Sequence, residues 1–173
     1  MSTVALSMIV KDEFQEVEKL VSDAFDYFDQ ICLVVSNKTT YNKLKKNFPD
    51  EKVSLKYREW DNRFDEARNA SLALVKTDYF FWLDADDSFD FRAIPQLVEI
   101  ADKDDVDAIF MPYNYMQDEA GNCITSHWRE RLIRLGKGYS WRGWVHETCI
   151  SDAKTRTHMV DFEVKHNATL EDA

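Results

Sequence analysis

Tyr79-Phe80-Phe81-Trp82-Leu83 runs without a break into Asp84-Ala85-Asp86-Asp87. A continuous apolar run of this length, rich in aromatics, predicts a strand buried on both faces, the kind found in sheets covered by helices on either side. In open α/β sheets of this kind ligands bind in the crevice beyond the carboxyl ends of the strands. Acids at that end are therefore placed for binding rather than for solubility, and a divalent metal is the first candidate for what they hold.

The flanking sequence supports such a sheet. Val4 to Val10 is apolar and rich in β-branched residues, which predicts a first strand closed by Lys11-Asp12-Glu13. Phe14, Val17, Leu20, Val21, Ala24, Phe25 and Phe28 then recur at helical spacing. Ile31 to Val35 predicts a second strand, Thr39 to Asn47 a short polar helix before Pro49, and Val53 to Glu59 a third strand. Phe64, Ala67, Ala70, Ser71, Leu74 and Val75 trace one face of a helix that leads into the acid-bearing strand. Phe91 to Ala101 predicts another helix, with Pro95 suited to its first turn. Strands alternating with helices make a mostly parallel, Rossmann-like sheet covered on both faces.

Past residue 103 the pattern turns to strands: Asp107 to Met116, and Cys123 to Trp128 across a turn at Glu119-Ala120-Gly121-Asn122. Arg131 to Leu135, then Gly136-Lys137-Gly138, then Tyr139 to Trp144 suggest another turn with aromatic flanks, and Val160 to Val164 predicts a last strand. No repeat, low-complexity segment or linker interrupts the chain, so the expectation is one α/β domain over 1–173, with a more antiparallel C-terminal part.

Composition narrows the partners. A hydrophobic content of 45% in 173 residues suits one globular domain. Lysine and arginine number 22 against 32 acids, a net charge of -10, which disfavours nucleic acid and anionic lipid as partners. No run of the roughly eighteen apolar residues needed to cross a membrane occurs, nor an export signal at the N-terminus, so the expected location is cytoplasmic. Cys32, Cys123 and Cys149 are odd in number and far apart, which suggests neither a disulfide framework nor a zinc knuckle and predicts reduced, buried thiols.

Asp84 and Asp86 lie two apart, so in an extended segment their side chains share one side and can share one cation. Mg2+ and Mn2+ prefer oxygen ligands, and such a metal clamps a diphosphate. An acidic turn capping the next helix through Asp87 or Ser88 is the alternative. A calcium loop is excluded, because Phe89 and Pro95 stand where it needs glycine and glutamate. A haloacid-dehalogenase-like phosphatase also uses two aspartates so spaced, the first as nucleophile, but after the first strand of its domain, whereas here three strands precede.

Trp60-Asp61-Asn62-Arg63-Phe64-Asp65-Glu66-Ala67-Arg68-Asn69-Ala70-Ser71, the acid-bearing strand, and Trp141-Arg142-Gly143-Trp144-Val145-His146-Glu147 together resemble the family 2 glycosyltransferases of the GT-A fold. Leu6-Ser7-Met8-Ile9-Val10-Lys11-Asp12-Glu13 is similar to that family's first strand and loop. The resemblance implies sugar transfer from a nucleotide-activated donor, with 1–103 as the nucleotide-binding half and 104–173 as the acceptor and catalytic half. It implies that Asp12 and Glu13 contact the nucleotide, although either can also cap the helix that follows. Arg68, beside Asn69, is implied to face the donor and to pair with a phosphate or an acid of the cluster. Asp86 is the implied metal ligand, with Asp84 near the ribose or a metal-bound water, and His166 resembles the late histidine that completes the metal site.

One departure stands out. Family members commonly carry an aspartate after the second strand, where this chain has Ser36-Asn37-Lys38-Thr39-Thr40. Ser36 or Asn37 can substitute by hydrogen bonding, and uracil is the expected base.

Transfer with inversion needs a base to take the acceptor's proton, and Glu147 is the candidate, with His146 positioning it, binding the diphosphate or acting as base itself. Trp128, Trp141, Trp144 and Tyr139 interleave with Arg129, Arg131, Arg134 and Lys137, so Arg131 is a candidate for holding the diphosphate while the aromatics stack on sugar or fill the core. The reading is a hexosyltransferase using Mn2+ or Mg2+ and a UDP-sugar, with a saccharide, lipid-linked glycan or peptide as acceptor. The rivals are the phosphatase and a sugar-nucleotide-binding protein without turnover.

Overall fold

A computed structural model describes residues 1–167 of the chain. The N-terminal part alternates as expected: β1 (Val4–Val10), α1 (Phe14–Ala24), β2 (Gln30–Val35), α2 (Lys38–Asn47), β3 (Val53–Tyr57), α3 (Phe64–Leu72) and β4 (Tyr79–Trp82). A two-residue strand β5 (Asp87–Ser88) and α4 (Ile94–Asp104) follow, then β6 (Ala108–Gln117), β7 (Cys123–Arg134), β8 (Ser140–Arg142), β9 (Thr148–Ile150), β10 (Thr157–Met159) and β11 (Val164–His166). Pro95 stands in the first turn of α4, where its missing N–H costs nothing.

The main sheet runs β3-β2-β1-β4-β7-β6-β11-β5, with β10 added to β6. β1 pairs in parallel with β2 and β4, and β2 with β3. β7 enters antiparallel between β4 and β6. The chain thus forms a mostly parallel α/β domain with an antiparallel C-terminal part. β8 and β9 form a separate two-stranded ribbon.

Side-chain alternation along β1 divides the core between the two faces. Leu6, Met8 and Val10 pack with Val17 and Val21 of α1 and Leu97 and Val98 of α4. Ala5 packs the other way, with Phe80, Trp82, Ile133, Trp141 and Cys149. α3 lies on this second face against β1, β2 and β8, and the Ser71 and Ser7 hydroxyls meet at 2.8 Å. Each large apolar side chain so buried stabilises the fold by about 1.5–3 kcal/mol.

Four expectations need correction. The strand expected to end at Trp128 runs on to Arg134, because bulged pairing with β6 carries the ladder through polar Arg129 and Glu130. Val160 to Val164 is mostly a link between β10 and β11, which pair with separate stretches of β6. Asp84 to Asp87 is a turn closed by the Asp87 N–H on the Asp84 carbonyl at 3.0 Å, so the two-residue alternation of an extended chain does not apply to Asp84 and Asp86. Cys123 is exposed, whereas Cys32 and Cys149 are buried, and all three are free thiols. No helix among the described residues is long and apolar enough to cross a membrane.

Candidate active site

A cavity of about 650 Å³ opens beyond the carboxyl ends of β1, β2 and β4. Lys11 and Glu13 line it after β1, Ser36 after β2, Arg58 and Trp60 after β3, Asp84 and Asp86 after β4, and Glu147 across from them. Strand direction therefore gathers on one rim residues that lie far apart in the chain.

Arg68 organises the centre. Its guanidinium lies 4.7 Å from the ring centre of Trp82 and 4.9 Å from that of Trp141. Nε donates to Glu147 at 2.6 Å and Nη2 donates to Asp84 at 2.7 Å. Burial works against the Arg68 charge, but the charges of Asp84 and Glu147 overcome it and hold the guanidinium more firmly protonated than usual. Burial likewise works to raise the Asp84 carboxyl, yet the Arg68 charge and hydrogen bond leave it below its ordinary value. Asn69 ties the same helix to the β8 ribbon through its side chain, which donates to the Trp141 carbonyl at 2.9 Å and accepts the Trp141 N–H at 2.8 Å.

Beside this centre Asp86, Asp87 and His166 place ligand atoms within 4.8 Å of one another, the one such group among the described residues. Asp87 is fully occupied: it accepts from the Tyr113 hydroxyl at 2.8 Å, the Asp84 N–H at 2.9 Å and Arg131 at 3.3 Å. This accounts for its burial and removes the helix-cap alternative. Asp86 is half-exposed and, among the described residues, has no cationic partner except His166, whose Nδ1 is 3.5 Å away. Burial, then the like charges of Asp87 and Asp84, push the Asp86 carboxyl up against the opposing pull of His166. Carboxylates beside an imidazole are a donor set that can hold a divalent cation. The residues fit such an ion, with Asp86 and His166 as the groups that would hold it. Asp84, turned to Arg68, falls outside this group.

The remaining expected residues divide. Glu13 lines the cavity, its carboxylate accepting the Lys11 N–H at 2.8 Å, while exposed Asp12 is not on the wall. Glu147 is on the wall, while His146 is exposed on the loop before it and is not. That loop needs Gly143, whose φ is +111° and whose absent Cβ would come within 2.9 Å of the His146 carbonyl.

Arg131 requires a correction. It is fully buried beneath the site, stacked on Trp82 at 3.7 Å and Tyr113 at 4.5 Å, and it donates to the Trp82 carbonyl at 3.0 Å. β7 lies between β4 and β6, so this position points into the layer under the acids rather than to solvent. Trp141 fills the core, while Trp144 stays exposed, next in sequence to the cavity-lining Val145, with Arg63 over its ring at 5.0 Å.

Sequence reasoning missed Arg58 and the supporting roles of Asp87 and Tyr113. Only the Arg-x-x-Asp spacing of Arg58 and Asp61 hinted at a fixed guanidinium, and nothing local marked Tyr113.

The family model described as Glycosyl transferase family 2 matches residues 6–160, which takes in every wall of this cavity. The chain belongs to glycosyl transferase family 2. Membership removes the phosphatase rival and agrees with the acids after β4 serving a glycosyl transfer site. Among curated proteins this family 2 chain is similar to the SPbeta prophage-derived glycosyltransferase SunS of Bacillus subtilis (strain 168) and to Glycosyltransferase SunS of Bacillus phage SPbeta, each 25% identical over 172 residues. The alignments cover 95% of this chain and 39% of each relative, so the chain spans about two fifths of the length of the curated relatives it matches.

Proposed function

We propose that this family 2 domain transfers a hexose from a UDP-sugar to an acceptor, with inversion and with Mn2+ or Mg2+ at the diphosphate. The observation that carries the reading is that Arg68 holds Asp84 on one wall of the cavity and Glu147 on the other, with Asp86 beside Asp84. A donor whose diphosphate lies toward Asp84 and Asp86 then presents its anomeric carbon toward Glu147.

In the reaction, an acceptor hydroxyl or comparable nucleophile attacks the anomeric carbon from the side opposite the diphosphate. The new bond forms as the bond from carbon to diphosphate oxygen breaks, which inverts the centre. Glu147 takes the acceptor's proton, and the Arg68 Nε–H fixes the carboxylate that receives it. Asp86 and His166 would hold the cation, which would supply positive charge against the charge that grows on the leaving diphosphate. Asp84, kept ionised by Arg68, orients the ribose side. His146 and Asp12 are assigned to acceptor or nucleotide contacts outside the cavity wall, and Glu13 to the nucleotide.

The acceptor is a saccharide, a lipid-linked glycan or a peptide, and the exposed Trp144, beside the cavity-lining Val145, offers any of them an aromatic face. Three free thiols and a nucleotide donor fit a cytoplasmic place of action.

The test is release or transfer of radiolabelled sugar from UDP-sugars with Mn2+, Mg2+ or a chelator, for the wild type and for Asp86→Ala. Turnover that needs the ion and is lost in Asp86→Ala is expected. Turnover undiminished by chelator would overturn the metal role, and donor binding without turnover for any acceptor class would favour the non-catalytic binding protein.

A further inference from the structure

The chain's charge is unevenly spread. Residues 38–58, from the start of α2 to the residue after β3, hold seven of the 22 basic residues and two of the 32 acids, whereas 84–107 hold nine acids and two bases. Lys38, Lys43, Lys45, Lys46, Lys52 and Lys56 have no carboxylate partner among the described residues, unlike Lys19, Lys137 and Lys165. At about 100° per residue, the lysines of α2 spread over the arc that faces away from buried Thr40 and Leu44. β3 is the edge strand on this side of the sheet, with Lys52 leading into it and Lys56 exposed on it. Lys38 Nζ lies 4.6 Å from the ring centre of exposed Tyr57, the residue before cavity-lining Arg58, so the basic strip reaches the cavity mouth. There Phe64 and Val145 line the wall while remaining exposed, and Trp144 beside Val145 is exposed as well. The Phe64 N–H donates to the Trp144 carbonyl at 3.4 Å, which holds these apolar groups together.

We propose that this face, the α2–β3 edge together with the cavity mouth, docks on an anionic lipid bilayer, which makes the acceptor a lipid-linked one. The docking surface stands on charge and exposure alone, while the acceptor class rests on the transfer reading above. Ammonium groups in this number match a layer of lipid phosphates, each basic residue near the surface adding roughly a fivefold gain in binding. Exposed Trp and Tyr beside them are groups that settle at the headgroup level, whereas a soluble polyanion offers them no apolar layer to enter. The net charge of -10 does not prevent docking, because salt screens charge with a Debye length of about 8 Å under physiological conditions. α4, within the acidic stretch, packs on β6, five places from β3 in the sheet and so roughly 24 Å away. Of the acids at the mouth, Asp61 is paired with Arg58 at 2.7 Å and Asp65 with Arg63 at 2.9 Å. Docking by this face brings the mouth, with Glu147 on its wall, against the leaflet that holds a lipid-linked acceptor.

The test is flotation of the protein with vesicles of phosphatidylcholine alone and of phosphatidylcholine mixed equally with phosphatidylglycerol. The protein should float with the mixed vesicles, stay behind with the neutral ones, and be released by high salt. Lys43→Gln, Lys45→Gln and Lys46→Gln combined should weaken binding to the mixed vesicles by about 100-fold. The melting temperature and the affinity for UDP with Mn2+, measured without vesicles, should not change. If the triple variant does not fold, Lys43→Gln alone should weaken vesicle binding by about fivefold. No binding to the mixed vesicles, binding undiminished by the substitutions, or capture by soluble heparin without vesicle binding overturns the proposal. UDP binding without vesicle binding overturns the docking alone, whereas vesicle binding without UDP binding overturns the donor reading and with it the acceptor class.

Discussion

Arg68 and Glu147 are 79 positions apart in the chain and meet at 2.6 Å, with the other arm of the same guanidinium on Asp84 at 2.7 Å. One buried cation thus joins the acid-bearing turn after β4 to the loop that carries the proposed base. The two walls of the cavity are consequently not independent, and substitutions at Arg68 test structure and function together.

Arg68→Ala removes the shared cation, leaves two carboxylates facing a space between tryptophans, and deletes the stem packed there. Breaking a buried pair from one side costs about 3–5 kcal/mol. For a domain of this size the midpoint of thermal unfolding should fall by roughly 10 °C. Arg68→Lys keeps the charge but lacks the fork, so it should recover part of the loss. A melt within about a degree of wild type for Arg68→Ala would show that the bridge contributes nothing to the fold.

Glu147→Gln retains an oxygen to accept the Arg68 Nε–H but cannot take a proton. Transfer should drop by about 10²–10⁴-fold. Binding of UDP by calorimetry should stay within a few-fold of wild type, because the base acts only in the chemical step. Equal losses of binding and turnover would reassign Glu147 to donor binding.

The pH dependence of stability has a definite sign on the acid side. Burial opposes the Asp84 charge, but Arg68 wins and holds the carboxyl below its ordinary 3.8. A carboxyl depressed on folding stabilises the protein above its unfolded value, and that stabilisation is lost as pH falls through the folded one. The melting temperature should therefore decline as pH drops below about 4. Asp84→Asn should show a shallower decline over that range, measured by thermal denaturation at stepped pH.

The thiols should react unequally. Burial pushes the Cys32 thiol up to about 12 against the opposing charge of Lys76, and burial with the Glu130 charge also raises Cys149. Cys123 is exposed. Titration with a chromogenic disulfide at neutral pH should count one thiol in the native protein and all three in denaturant. Rapid reaction of Cys32 in the native protein would mean that β2 opens readily.

Much of the architecture is legible in the sequence because strand and helix periodicities are local. β1, β2 and β4 read as buried strands from apolar runs, and the buried face of α3 reads from Ala67 and Ser71, although Phe64 stays exposed. The C-terminal strands were harder to read. Glu130 looks like a break in β7, yet its carboxylate accepts the Cys149 N–H at 2.9 Å and is buried there. A buried charge with a distant partner is indistinguishable, in one dimension, from a solvated one. Arg131 shows the same limit: its neighbours in sequence suggest an exposed basic and aromatic patch, and its neighbours in space are Trp82, Tyr113 and Asp87.

The sequence by itself determined the order of the elements, the placement of acids at the end of a buried strand, and the family, since each depends on residue type and short-range spacing. Only the tertiary structure decided which acids act together. Asp84 turns to Arg68, Asp87 is consumed by Tyr113 and Arg131, and Asp86 is left with His166. The reason is physical: side-chain direction within a strand follows from a two-residue repeat, but a tight turn cancels that repeat. The partner of a buried charge is set by which strands lie next to each other in the sheet.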